Sequence, residues 1–271
     1  MDMIRLSAFD LGLAASLVAA LAASNWYTGA GHWRTLIVAA VRCAAQLLLI
    51  GLVLEALFAN VSLWWVALLS MAMLIIAGYE VMWRQQRRFE GLVGYALGTL
   101  SMFVSSFSVT FLALTVIVGP DPWYEPRYAI PLLGMMLGNT MTGVALTLDN
   151  LTRLAWQQRA IIEARLMLGH DWSVAIADIR RDSVRNGLIP IVNAMAAAGV
   201  VSLPGMMTGQ ILAGNPPMEA VKYQILVFFL VTAGTGFGIL AAAGIGARRL
   251  FDERQRLRLD RLRRPMLEAF L

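Results

Sequence analysis

Long apolar runs, separated by short segments that carry charges, glycines or prolines, dominate the chain. An α-helix needs about 20 predominantly apolar residues to cross the hydrocarbon core of a bilayer, and the runs have this length. They lie near residues 8–24, 36–58, 63–83, 92–119, 129–152, 188–213 and 222–246. The pattern therefore predicts an all-α fold, a polytopic integral membrane protein that crosses the bilayer about seven times.

The composition excludes an ordinary soluble protein. Of the 271 residues, 59% are hydrophobic and 14% are charged, whereas soluble domains carry about 25% charged residues. The seven spans leave too little chain for a large domain outside the membrane. We therefore expect residues 1–271 to form one transmembrane domain.

The basic residues predict the orientation of the chain, because cytoplasmic loops carry an excess of Lys and Arg. With the N-terminus outside, 18 of the 22 Lys and Arg residues fall on the inside and three on the outside. The inside residues are Arg34, Arg84, Arg87, Arg88, six arginines between 153 and 185, and eight from Arg248 to Arg264. The charges thus predict an N-out, C-in topology.

Two inside segments are long enough to meet a partner. In residues 153–186 the apolar positions return at helical spacing, which predicts one or two amphipathic helices broken at Gly169. This segment suits either docking of a partner protein or an interfacial position on anionic lipid. The basic tail, residues 247–271, is expected to anchor the chain on anionic lipid. It has no folded recognition module for nucleic acid.

The sequence holds no ATP-binding motif and no catalytic arrangement. A Walker A motif needs Gly-Lys followed by Ser or Thr, but the only lysine, Lys222, lies between Val221 and Tyr223. The spans carry no Ser/His/Asp set, paired Asp or HExxH motif. We therefore expect a protein that is not an enzyme and binds no cofactor, and any work driven by ATP would require a separate subunit.

A short motif in the inside segment has a counterpart in known permeases. The sequence EARLMLG, residues 163–169, resembles the EAA loop of ABC importer permeases, whose helix docks into a cleft of the ATPase. The resemblance implies that Glu163, Ala164 and Gly169 couple the chain to an ATPase. Arg165 departs from the pattern, since it replaces the second alanine of the motif. The proline that usually follows the motif is also displaced, to Pro190.

A wider resemblance covers most of the chain. The segments that carry it are LGNTMTGVALTLDNL (137–151), EARLMLG (163–169), IPIVNAMAAAGVVSLPGMMTGQILAG (189–214) and KYQILVFF (222–229). Together they resemble the FetB-type permeases, small seven-span proteins paired with a separate ATPase. The resemblance implies a bacterial inner-membrane (plasma-membrane) permease that exports a metal ion, iron, as a homodimer beside two ABC ATPase subunits that use ATP. It also implies that Asp149, in the motif before the inside loop, takes part in coupling, whereas the i, i+4 spacing of Asp149 and Arg153 equally permits a simple ion pair.

Two similar motifs, GMMLGNTMTG at 134–143 and GMMTGQILAG at 205–214, suggest a translocation path. Their glycines would equally serve close packing of helices. If they line a path, its thioether and amide groups come from Met135, Asn139, Met206, Met207 and Gln210. Pro204 and Gly205 would break the sixth span, which is tolerated where backbone faces protein or a water-filled cavity.

Arg42 and Gln46 are further candidates for the path, because they share one face of the second span at i and i+4. Polar residues within spans are costly and often functional, but Arg42 would also reach the headgroups if it lies near the inner end.

The sequence leaves the transported species open. Thioethers prefer soft ions, whereas iron(II) prefers oxygen or nitrogen ligands, so the methionines do not identify iron. The two histidines, His32 and His170, lie near span ends, and no ligand cluster is evident. The metal site is therefore unknown. A permease for another solute, such as a nucleotide sugar, and a secondary transporter that acts alone are the alternatives.

Overall fold

The computed structural model describes residues 7–29 and 31–263, which are helical almost throughout. The first helices are α1 (Ala8–Tyr27), α2 (Trp33–Ala59), α3 (Leu63–Trp83), α4 (Gly91–Met102) and α5 (Ser108–Leu112). The later helices are α6 (Pro126–Gln157), α7 (Arg159–Met167), α8 (Trp172–Ala175), α9 (Ala177–Ala197), α10 (Gly205–Leu212) and α11 (Pro217–Arg249). Two antiparallel strands of two residues each, β1 (Arg88–Phe89) and β2 (Leu262–Arg263), complete the fold.

Six helical segments of the described chain are long and apolar enough to cross a membrane. They are α1, α2, α3, the continuous segment Gly91–Val118, α6 and α11. The segment Gly91–Val118 contains α4, α5 and two π-helical turns, Phe103–Phe107 and Ala113–Val118. This confirms an all-helical polytopic membrane protein with six to seven long apolar helices.

The sixth predicted span is discontinuous. In place of one helix over 188–213, α9 ends at Ala197 and α10 begins at Gly205. Between them the chain turns at Gly199, whose φ of +79° lies in the left-handed region, and a bridge joins Ala198 to Ser202. The predicted break at Pro204 and Gly205 is therefore confirmed, although the non-helical stretch begins six residues before Pro204.

The chain divides into two compact units. The first unit contains residues 7–62 with residues 212–215, and in it α1 packs against α2. Helix α1 begins with a capping box, in which the Ser7 hydroxyl accepts the Asp10 N–H and the Asp10 carboxylate accepts the Ser7 N–H. The second unit contains residues 63–211 with residues 216–263, and both the arginine-rich segments and most candidate residues lie in it.

Helix α6 is the centre of the second unit, where it packs against α3, α9 and α11. Glycines allow the helices to approach closely, as small residues do in membrane bundles. A Cβ atom at Gly187 of α9 would meet the Thr147 hydroxyl and the Gly143 carbonyl of α6. Buried hydroxyls also join the helices, because Thr140 of α6 lies 3.2 Å from Ser106 and 3.5 Å from Thr235 of α11.

We expect Gly187→Ala to lower the free energy of unfolding by about 2 kcal/mol, because the added methyl group overpacks the α6–α9 contact. Gly244→Ala is the matched control, since a Cβ atom there meets nothing within 4 Å. The control should be neutral or gain up to about 1 kcal/mol from helix propensity. Unfolding of both variants in mixed detergent micelles checks the prediction, and equal effects would contradict it.

One end of the second unit, which we call the arginine-rich end, is formed by residues 84–90, 149–185 and 248–263. Its core is apolar, with Ile162, Ile176, Leu250 and Phe251 at most 2% exposed. Strands β1 and β2 pair here, so the chain after α11 returns to the loop after α3. The described part of the basic tail therefore packs on the protein, and its anchoring on anionic lipid stays a prediction. Residues 264–271 lie outside the described residues.

Candidate functional site

Helix α7 and the turn after it form a rigid corner at the arginine-rich end. Gly169 ends the helix with a φ of +86°. Its N–H donates to the Leu166 carbonyl, and the His170 N–H donates to the Arg165 carbonyl. This pair of bonds is the Schellman motif, which requires a left-handed residue that glycine adopts without strain. The predicted break at Gly169 is thus confirmed, with α8 and α9 following it.

Arg165, which departs from the known motif, closes this corner. One guanidinium nitrogen donates to the Ala175 carbonyl at 3.2 Å, and another donates to the Asp178 carboxylate at 2.8 Å. The hydrogen bond and charge of Arg165 lower the pKa of Asp178 below its ordinary value, so this carboxylate stays ionised at neutral pH. The arginine therefore joins the end of α7 to α8 and to the start of α9.

The two faces of α7 differ in what they contact. Ile162 is fully buried in the core of the arginine-rich end. Glu163 and Ala164 lie on the exposed face. Beyond them, Met167 is 82% exposed and Leu168 is 79% exposed. The corner thus presents one acidic group and two large apolar side chains on a helix whose opposite face is fixed.

Asp149 belongs to a different part of the arginine-rich end. Its carboxylate accepts the backbone N–H of Gln86 at 2.7 Å, and one turn later the Thr152 hydroxyl donates to the Arg87 carbonyl at 2.7 Å. The ion pair with Arg153 that the i, i+4 spacing permits is not formed, because that guanidinium donates to Asn150 at 2.6 Å. Asp149 therefore holds the loop after α3 against α6.

We expect Asp149→Ala to destabilise this loop by about 1.5–3 kcal/mol, the range for a hydrogen bond to a charged group. Asp149→Asn should lose much less, because its amide oxygen still accepts the Gln86 N–H. Hydrogen exchange of residues 84–90, compared between the two variants, measures the effect. Equal exchange in both would show that the contact does not hold the loop.

Two predicted path residues lie on one face of α6. Asn139 is exposed, Met135 is partly buried, and the Asn139 amide donates to the Met135 carbonyl at 2.8 Å. Gly138 beside them is exposed, and a Cβ atom there would meet nothing within 4 Å. An amide on the surface of a membrane helix is unfavourable against lipid tails. This face therefore suits contact with protein or water.

The remaining path candidates lie elsewhere. Met206, Met207 and Gln210 are on α10 and are partly buried, and the Gln210 amide oxygen is buried without a partner among the described residues. No extensive helix contact of the described chain joins α10 to α6. Arg42 and Gln46 are exposed on α2, in the other compact unit. Within the second unit, the structure thus brings Met135 and Asn139 together but does not join the α10 candidates to them.

An apolar cavity of about 470 Å³ lies between α3, the segment Gly91–Val118 and the start of α6. Aromatic side chains line much of it, namely Phe103, Phe107, Phe111, Trp123 and Tyr124. These side chains offer few of the oxygen and nitrogen ligands that hard cations prefer. Within the described residues, no group of three or more His, Cys, Asp or Glu side chains could hold a metal ion.

Several residues that organise the arginine-rich end were missed by the sequence reasoning. The Gln86 N–H and the Thr152 hydroxyl form the hydrogen bonds that join α6 to the loop after α3, across more than 60 positions in the sequence. Gln255 contacts α8 across more than 80 positions. Contacts of a side chain with distant backbone leave no periodic signal in one sequence. A hint was available only at Thr152, where a hydroxyl falls on the apolar face of a helix.

Comparison with known proteins identifies one family and relatives that are membrane proteins. The model of the uncharacterised protein family UPF0014 matches residues 8–251. The UPF0014 membrane protein slr1647 of Synechocystis is 37% identical over 94% of this chain and 98% of its own. The probable iron export permease protein FetB of Escherichia coli is 30% identical over 82% of this chain and 84% of its own.

A plant protein is also similar. Protein ALUMINUM SENSITIVE 3 of Arabidopsis thaliana is 33% identical over 72% of this chain and 69% of its own. No solved structure matches the chain.

Proposed function

Because the chain belongs to the UPF0014 family of multi-pass membrane proteins, we propose that it is the permease subunit of an ABC transporter driven by a separate ATPase. The family is permease-like, which implies transport rather than catalysis. The observation that carries the finer proposal is the corner at α7, where an exposed helix face stands on a rigid support.

The corner has the features of a docking element. Met167 and Leu168 are large, apolar and more than three-quarters exposed, and such side chains are favourable anchors when a partner covers them. Arg165 and the Schellman turn at Gly169 fix the helix before binding, which lowers the entropy lost on association. Glu163 and Ala164 on the same face complete a surface for the ATPase.

The mechanism follows from the contacts of this segment. Helix α9, which continues the corner through α8, packs against α6 and α11. ATP-driven closure of two ATPase subunits would move residues 153–186 and tilt these helices, which alternates access to the path. ATP is bound by the partner subunit, since this chain has no Walker A motif. No cofactor bound by this chain is required.

The exposed face of α6 supports a homodimer. The Asn139 amide would be costly against lipid but suits a second copy or a water-filled path between copies, and Gly138 beside it would allow close approach of a second helix. Met135 lies on the same face. In this proposal two permease copies and two ATPase subunits form the transporter, and the path runs along this face. Met206, Met207, Gln210, Arg42 and Gln46 remain candidates for it.

The proposed orientation places the arginine-rich end in the cytoplasm and the N-terminus outside. The excess of arginine at this end supports it, and an ATPase requires cytoplasmic ATP. Bacterial relatives support the inner membrane of a bacterium as the location. Anionic lipid around the basic residues would stabilise this orientation.

Iron is the proposed substrate, in the direction of export, because one relative is named a probable iron export permease. ATP-dependent uptake into inverted vesicles, which reports export, tests the proposal with iron(II), copper(I), aluminium and a nucleotide sugar in parallel. We expect uptake of iron that requires both subunits. Uptake of the nucleotide sugar alone would identify another substrate, and uptake without the ATPase would identify a secondary transporter.

A further inference from the structure

The segment that follows α11 joins three parts of the arginine-rich end. At its far end, β2 pairs with β1, and the Arg261 carbonyl accepts the N–H of Glu90 at 3.0 Å. The Arg261 guanidinium donates to the carbonyls of Arg249 and Phe251 at the end of α11. The segment is therefore fixed both to the loop after α3 and to the end of α11.

In the middle of this segment, the side chain of Gln255 contacts the residues that begin α8. The amide oxygen of Gln255 accepts the backbone N–H of Trp172 at 2.9 Å, and its amide nitrogen donates to the Asp171 carboxylate at 3.1 Å. Trp172 is the first residue of α8, and Asp171 precedes it. A single amide thus satisfies the first N–H of α8 and also orients the residue before it.

The backbone at Gln255 is in a conformation that side chains rarely adopt. Its φ of +59° makes it the one residue other than glycine with a positive φ in the described chain, and this region is unfavourable for residues with a Cβ atom. The Asp252 carboxylate holds the turn, because it accepts the N–H groups of Arg254 and Arg256. Strain of this kind persists only where surrounding contacts impose it.

Apolar and cation–π contacts support the same junction. The centroids of the Trp172 and Phe251 rings lie 5.9 Å apart. The Arg248 guanidinium lies 5.3 Å from the centroid of the Trp172 ring. Phe251 and Arg248 both belong to the end of α11 or the residues directly after it. Movement of α8 would therefore act on α11 through this junction as well as through α9.

We propose that Gln255 is a positioning residue that couples the α7–α8 corner to the end of α11, an inference that rests on the proposed function. The amide holds α8 in register with the segment after α11. Force applied to α7 by the ATPase then reaches both α11 and the loop after α3. Without the amide, α8 would act on α11 only through α9 and through the contacts of the Trp172 ring.

A swap of donor and acceptor tests the contact directly. Gln255→Glu faces the Asp171 carboxylate with a second carboxylate and should break the junction. The double variant Gln255→Glu/Asp171→Asn restores it, because the new amide donates to the new carboxylate, which still accepts the Trp172 N–H. Gln255→Gly removes the side chain while relaxing the backbone, and Glu253→Gln, an exposed neighbour, is the matched control.

The first measurement is hydrogen exchange of the Trp172 amide in the full chain in nanodiscs. We expect exchange to rise at least about threefold in Gln255→Glu and Gln255→Gly, within the range of pairwise couplings between contacting residues. It should return toward the original rate in the double variant and stay unchanged in Glu253→Gln. Unchanged exchange in the single variants would overturn the contact, whatever the function of the chain.

The second measurement is the ATP hydrolysis that the chain stimulates in its ATPase, together with the affinity of the two subunits. We expect the single variants to lose at least about threefold in stimulation with little change in affinity, and the double variant to regain it. Altered exchange with normal stimulation would overturn the positioning role and leave the proposed function intact. Failure of the unmodified chain to bind any ATPase would overturn both.

Discussion

Met167→Asp is expected to abolish docking of the ATPase, weakening its affinity by at least about 100-fold, the effect of losing an interface hot spot. The side chain is 82% exposed at the tip of α7, so the charge is tolerated while the chain is alone. In the complex the same carboxylate would be buried without a partner. Pull-down of the ATPase by the chain in nanodiscs measures the loss.

Met167→Leu is the matched control and should bind the ATPase nearly as well as the original chain. Gly169→Val should also lose docking, because its φ of +86° lies in a region that β-branched residues rarely adopt. Normal binding by Met167→Asp would show that α7 is not the contact. If Met167→Asp instead weakened binding of α7 to lipid vesicles and left ATPase binding unchanged, α7 would be an interfacial helix on the membrane.

Asn139→Leu is expected to reduce transport at least about tenfold while docking of the ATPase stays normal. The amide is exposed on a membrane-spanning helix and uses its donor on the Met135 carbonyl. Its oxygen therefore remains available to a passing solute, and polar groups at membrane depth are most often functional. ATP-dependent uptake into inverted vesicles checks this prediction.

Leu240→Val provides the control for Asn139→Leu, since Leu240 is exposed on α11, which carries no candidate for the path. It should transport at the original rate. A normal rate in Asn139→Leu would exclude this amide from the path. A loss of stable dimer in Asn139→Leu, measured by cross-linking, would assign the face to contact between two copies instead.

The helical spans could be predicted because a bilayer imposes a length and an apolar composition on every segment that crosses it. Six runs became continuous helices. The run 63–83 matches α3 at both ends, whereas α6 extends to Gln157 rather than 152. The run over 188–213 has the composition of a span but not its continuity. Gly199 and Pro204 interrupt it, so composition alone predicted a longer continuous helix than the chain forms.

Local features of the candidate site could also be read from the sequence. Gly169 marked a break because glycine adopts the left-handed conformation that ends α7. Glu163 and Ala164 lie beside it on one exposed face, and their role in coupling stays a prediction. The pattern gave no reason for Arg165, whereas the structure shows that it joins α7 to Ala175 and Asp178.

Long-range contacts could not be predicted in the same way. Asp149 matched a local pairing rule with Arg153, yet a backbone N–H from the loop after α3 occupies its carboxylate. The charge of the basic tail predicts an anchor on lipid, which stays a prediction, but it gave no sign that Phe251 and Leu262 are buried in the protein. In both cases the sequence specified which groups were charged but not which distant backbone atoms would satisfy them.

The permease function is tested by the rate of ATP hydrolysis by the purified ATPase with and without this chain in nanodiscs. We expect the chain to bind the ATPase, to stimulate hydrolysis, and to do so further when iron(II) is added. Met167→Asp should remove the stimulation, and Met167→Leu should retain it. Iron export by the chain alone, or a rate of hydrolysis that the chain leaves unchanged, would show that the chain is not the permease subunit of an ABC transporter.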